Sequence, residues 1–132
     1  MKKIFLVAFC CFSLYACNKE VGSISYIQSL LSNKTWFLYY SINKNKSESF
    51  VGKSTYFVNF SQTGTTLDSD GISGYFSIQK NNNVLSINFN CTTLSGAPAN
   101  YNYIIEQIGS DQMTISYQQD GIKTKKIFRT IH

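Results

Sequence analysis

Charge is what this chain has least of: Asp, Glu, Lys and Arg make up 14% of its 132 residues, against about 25% in an average soluble domain. That scarcity excludes a highly charged disordered chain and a solvated helical bundle. Tyr, Asn and Ser supply the polarity instead, and the composition leans towards β structure. Histidine is scarcer still. The single His is His132, so a His-based triad, a catalytic dyad or a zinc cluster cannot be assembled. The seven acids include Glu20, Glu48 in a loop, and Asp111 and Asp120 in tight turns, which leaves few candidates for a paired-carboxylate site. Asp68-Ser69-Asp70-Gly71 opens like a calcium loop but lacks the later oxygen ligands and the closing Glu, so it reads as a turn. There is no glycine-rich phosphate loop. The expectation is a single small domain without catalytic activity, cofactor or metal.

What is present begins with an address. Met1-Lys2-Lys3 leads into an apolar run from Ile4 to Leu14 and then into Leu14-Tyr15-Ala16-Cys17, the pattern of a secretion signal. A helix of about 11 residues spans about 16 Å, roughly half a bilayer core, so the segment reads as cleaved and not spanning. Leu14-Tyr15-Ala16-Cys17 resembles a bacterial lipobox. That resemblance implies removal of residues 1–16, diacylglycerol on the Cys17 thiol and a further palmitate-type acyl chain on the new amino terminus. Two or three chains make a durable membrane anchor where one is marginal. Asn18 after the Cys implies outer-membrane sorting, and Asn18-Lys19-Glu20 partly resembles the surface-export tag of Bacteroidetes lipoproteins, so the periplasmic and cell-surface faces both stay open.

Processing lowers the formal charge from +5 to about +3. Basicity therefore does not point to nucleic acid. Cys10 and Cys11 leave with the signal, Cys17 becomes a thioether, and Cys91 remains as one thiol, expected to be buried.

Residues 17–33 read as the lipidated Cys, a tether and a short helix, with Ile24, Ile27, Leu30 and Leu31 forming its apolar stripe within Val21 to Leu31. From residue 34 onward the pattern is strands. Their ranges are Lys34 to Ile42, Ser54 to Phe60, Gly64 to Asp68, Gly74 to Gln79, Val84 to Asn90, Tyr101 to Ile108, Gln112 to Gln118 and Lys123 to Ile131. Asp120-Gly121 signals a type I′ hairpin. Eight strands at this spacing predict an all-β, up-and-down antiparallel barrel that removes its own edges by closing. Short connections fall at one end, whereas Asn43 to Lys53 and Cys91 to Asn100 are long and would frame a mouth at the other.

Lys34-Thr35-Trp36 on the first strand and Phe128-Arg129 on the last resemble the two ends of a lipocalin-like barrel. With Gly74-Tyr75 opening a middle strand, the resemblance is closest to small lipocalin-like lipoproteins of Bacteroidetes and covers about Leu30 to Ile131. It implies that Arg129 packs over the Trp36 ring at the closed base, a structural pairing and not a functional one.

At the expected mouth stand Tyr40, Tyr56, Phe89, Tyr101, Tyr103 and Tyr117, apolar faces with polar tips suited to a lipid, a sterol-like ring or a sugar. Asn102 or Lys123 would orient the ligand at the rim. Lys123, Lys125, Lys126 and Arg129 read as a solvated strand edge, with Lys126 on the face opposite Lys123 and Lys125. Two functions fit this sequence: binding of a small apolar or amphipathic ligand, or a protein-interaction module of the inhibitor or immunity type that uses the long loops.

Overall fold

The computed structural model describes residues 23–44, 46–50 and 56–130. The signal, Cys17, the tether and the stretch 51–55 lie outside the described residues.

A short helix, α1 (Ile24–Leu31), precedes nine strands: β1 (Lys34–Asn43), β2 (Lys46–Ser49), β3 (Phe57–Phe60), β4 (Thr65–Asp68), β5 (Ser73–Asn81), β6 (Val84–Thr92), β7 (Pro98–Ile108), β8 (Gln112–Gln119) and β9 (Ile122–Arg129). Every pairing is antiparallel and between sequence neighbours, apart from β1, which pairs β2 along its upper half, β3 along its lower half and β9 on its other edge. β2 and β3 thus occupy one place in the ring as an interrupted strand. The sheet closes as an eight-stranded antiparallel barrel, and the expected architecture holds.

The interruption revises the loops. The expected connection Asn43 to Lys53 contains β2, whose four residues are all exposed, so a hairpin stands where a free loop was expected. The second long loop, Cys91 to Asn100, shrinks to the stretch Thr93 to Ala97 between β6 and β7. Thr93 closes it, exchanging backbone bonds with Ala97 and Gly96 at 2.8 Å. Pro98 takes the first position of β7, where a missing N–H is tolerated.

Local chemistry explains the turns. Asp120 and Gly121 (φ 50° and 76°) form the expected left-handed pair, and Asn82 and Asn83 (φ 47° and 65°) do the same between β5 and β6. Asn33 (φ 59°) supplies the tight bend before β1, so Lys34 needs no special backbone. The Lys34 ammonium instead reaches across the base to the Ser110 carbonyl at 2.8 Å.

The helix begins at Ile24, with the Ser23 hydroxyl as its N-cap accepting from the Tyr26 N–H. It buries Ile27 and Leu31 against the bottom of the barrel. Trp36, fully buried, donates its indole N–H to the Leu31 carbonyl at 2.9 Å. A helix C-terminus leaves carbonyls without intrahelical partners, and here the barrel floor supplies one. Above that floor the core rises through Leu38, Val58, Phe60, Phe76, Ile78, Ile87, Ile105, Met113 and Phe128.

The expected Arg129 contact with Trp36 is not formed. Directly paired residues of an antiparallel sheet share a face, and Phe128 pairs Leu38 and Met113 on the inside. Arg129, the next residue, therefore points outward and lies over the Tyr39 ring at 5.3 Å. The cation over Trp36 is Lys34, at 5.6 Å.

Candidate functional site

Strand phase decides which side chains enter the barrel. On β6 the residues Ile87, Phe89 and Cys91 share the inner face, opposite Tyr103, Tyr101 and Ala99 of β7. On β8 Met113, Ile115 and Tyr117 face inward, opposite Phe128, Lys126 and Thr124 of β9. Of these, Phe89, Cys91, Tyr101, Tyr103, Met113, Ile115, Lys126 and Phe128 line a cavity of about 250 Å³ above the packed core, together with Tyr56, Val58, Phe60, Thr66, Asp68, Asp70 and Ile72. Exposed Asp70 and Tyr101 stand at its rim.

Of the six aromatics expected at the mouth, Tyr56, Phe89, Tyr101 and Tyr103 line this cavity. Tyr117 backs it, its ring edge-on to Tyr103 at 5.5 Å. Phe89 meets Tyr103 at 5.3 Å and Phe60 at 5.8 Å, which ties the wall to the core. Tyr40 does not join them. The β1–β9 register shifts between Leu38 and Tyr40, so Tyr40 pairs Ile127 on the outer face and Ser41 takes the inner position beside Lys126. A bulge of this kind carries no signature in the alternation of a strand whose two faces are both apolar.

Three further expectations are corrected. Lys123 lies outside, ion-paired with Glu106, which also accepts from the Ser116 hydroxyl at 2.7 Å. Asn102 pairs Asn88 on the outer face. Cys91 is half-buried on the cavity wall and not in the core. Burial followed by the nearby Asp68 charge pushes its thiol pKa up, so the protonated form dominates at neutral pH and a nucleophilic role is unsupported.

Polar groups enter the cavity as well. Asp68 ends β4, where its Oδ2 accepts from the Tyr56 hydroxyl at 3.0 Å and its Oδ1 accepts from the N–H groups of Asp70 and Ile72 at 3.0 and 2.9 Å. The Asp68-Ser69-Asp70-Gly71 segment is therefore a turn folded around its own carboxylate, as the sequence suggested, and among the described residues no cluster of three metal-ligating side chains occurs. Burial, and then Asp68, raises the Tyr56 hydroxyl pKa far above its ordinary value, and burial pushes Tyr103 up to about 12. Both stay neutral donors.

Lys126 is the group that sequence reading misplaced. Expected at a solvated edge, it instead sits in phase with Phe128 and projects into the cavity, its ammonium 5.8 Å from the Tyr56 ring centre and 5.6 Å from that of Tyr117. Burial lowers its pKa from the ordinary lysine value. The signal was there: in Thr124-Lys125-Lys126-Ile127-Phe128 the inward phase is set by Phe128, and Lys126 falls two residues before it.

A larger open furrow of about 820 Å³ crosses the outer wall over β1 and β3 to β6, with Thr35, Asn59, Leu67, Tyr75 and Asn90 along it. Its lining converges on no catalytic or charged cluster, and the inner cavity is the better candidate site. No protein-family model, curated protein or solved structure matches the chain.

Proposed function

We propose that this protein is a lipid-anchored barrel of the outer membrane, resembling the small lipocalin-like lipoproteins of Bacteroidetes, that binds a small apolar or amphipathic molecule without transforming it. The observation that carries the reading is the inner cavity: about 250 Å³ of space walled by Tyr56, Phe89, Tyr101 and Tyr103 above a packed floor. Apolar surface buried against those rings supplies affinity, and the few polar groups fix orientation. The anchor rests on Leu14-Tyr15-Ala16-Cys17 and on acylation at Cys17. Cavity size narrows the ligand, because the roughly 17 carbons of a sterol-like ring system exceed what this volume holds, on the order of ten non-hydrogen atoms.

The test is a thermal-shift titration of the protein with a small-molecule extract of its host, with Cys17→Ser run beside it in membrane fractionation. The expected results are a rise in Tm with increasing extract and release of the Cys17→Ser variant from the membrane fraction. An unchanged Tm at saturating extract contradicts the ligand-binding reading. A second reading, an interaction module of the inhibitor or immunity type, draws on Leu94, which is 77% exposed in the connection between β6 and β7. A protein partner lost on Leu94→Ser but kept on Tyr103→Ala favours it.

A further inference from the structure

Charge inside the cavity is distributed unevenly. Its acid, Asp68, already accepts from Tyr56, Asp70 and Ile72, so its negative charge is spread over three donors. Asp70 is exposed to solvent at the rim. Lys126 has no such balance. Among the described residues it takes part in no ion pair, and its neighbours across the strands are Ser41 and Ile115. Two aromatic faces flank the ammonium, and a π face replaces only part of the hydration that a cation loses on burial. The cation–carboxylate pairing that the outer wall provides for Lys123 through Glu106 is missing for Lys126. The cavity's carboxylates, Asp68 and Asp70, form no ion pair with Lys126 among the described residues, and what its ammonium lacks is a paired anion.

Volume limits what carries it. At the share of about 30 Å³ that a water-sized group takes in a liquid, the cavity accommodates on the order of ten non-hydrogen atoms. We infer that the occupant is a small organic anion, a flat or short apolar body of that size held among Tyr56, Phe89, Tyr101 and Tyr103, with its carboxylate or similar group against the Lys126 ammonium. The inference rests on the reading of the cavity as a ligand site and adds the charge and size of the ligand. Charge-assisted bonds in a partly desolvated site are about twice as strong as neutral ones, so Lys126 acts as the selector.

The test is calorimetric titration of the full mature protein with 3-phenylpropionate and with its uncharged isostere 3-phenylpropanamide, each of about eleven non-hydrogen atoms. The acid is expected to bind at least about tenfold more tightly than the amide. Lys126→Met should abolish the preference for the acid over the amide, and Lys126→Arg should retain it. Lengthening an alkanoate from octanoate to dodecanoate should give less than about a threefold gain, since the added carbons leave the cavity. Equal affinity for acid and amide, or a preference that survives Lys126→Met, overturns the inference and leaves the ligand-site reading standing. If neither probe binds and neither slows modification of Cys91 by a thiol reagent, both fall.

Discussion

The indole N–H of Trp36 donates to the carbonyl of Leu31 at 2.9 Å, and that bond joins the floor of the barrel to the last turn of its only described helix. Trp36→Phe should keep most of the packing but leave the Leu31 carbonyl unpaired in a buried setting, for a loss of about 1–3 kcal/mol. Trp36→Ala, which also opens a cavity, should cost about 3–5 kcal/mol. Arg129→Ala should cost under about 1 kcal/mol, because its guanidinium lies on the outside over Tyr39. Urea unfolding of the three variants checks the order. An Arg129 effect as large as that of Trp36 would restore the pairing that the family resemblance implied.

Gly74 faces inward where β5 meets β6. A Cβ there would lie within contact distance of the Asn90 carbonyl and 2.7 Å from the Cys91 Cα. The β6 backbone cannot yield without disturbing the pairing of Gly74 with Cys91. Gly74→Ala is expected to lose about 1–3 kcal/mol. Gly121→Ala, with nothing within 4 Å but a φ of 76°, tests strain without crowding and should cost about 1 kcal/mol. Thermal unfolding of both variants separates the two causes.

Glu106 stands at the β7 bulge between Ile105 and Gln107. The Lys123 ammonium and the Ser116 hydroxyl hold its carboxyl pKa below the ordinary carboxylate value. The unfolded chain therefore binds the proton more readily, and the stability this group adds is present at neutral pH and lost as pH falls through the ordinary value towards the lower folded one. Urea midpoints between about pH 7 and pH 3 should fall less steeply for Lys123→Ala than for the unaltered protein. Parallel curves would show that the ion pair does not set this dependence.

Lys126 should behave in the opposite sense. Its folded pKa lies below the ordinary lysine value, so between the two values the unfolded state holds more protons and the contribution to stability rises with pH. The groups that face it are Tyr56 and Tyr117, with Asp68, Asp70 and Cys91 on the same cavity. At neutral pH its charged form is a burden on the empty barrel. Lys126→Met is expected to stabilise the ligand-free protein by about 0.5–1 kcal/mol at pH 7 and to flatten its alkaline gain. Denaturant titration at pH 7 and pH 10 provides the check, and destabilisation by this change would assign Lys126 a structural role.

The barrel was legible because alternation and turn chemistry are local. Leu85, Ile87 and Phe89, or Met113, Ile115 and Tyr117, announce an inner face within a single strand, and Asp120-Gly121 announces its turn. What escaped depended on register between strands. β2 reads as part of a long loop because Lys46 to Ser49 carries no buried side chain, whereas β3 falls within the expected strand Ser54 to Phe60. The β1 bulge that turns Tyr40 outward is visible only against β9. Phe128 and Arg129 differ by one residue, and that step decides which of them meets the interior. Alternation already puts Lys126 on the face opposite Lys123 and Lys125, but a basic run suggests solvent until Phe128, two positions later, marks that face as the interior.

The most direct test of a small molecule inside this barrel is native mass spectrometry of the protein purified from its host, beside an Ile115→Phe variant that fills part of the cavity wall. The account predicts a co-purifying small molecule on the unaltered protein, lost from the variant. A spectrum without any such molecule, or one whose bound mass persists on Ile115→Phe, would contradict it.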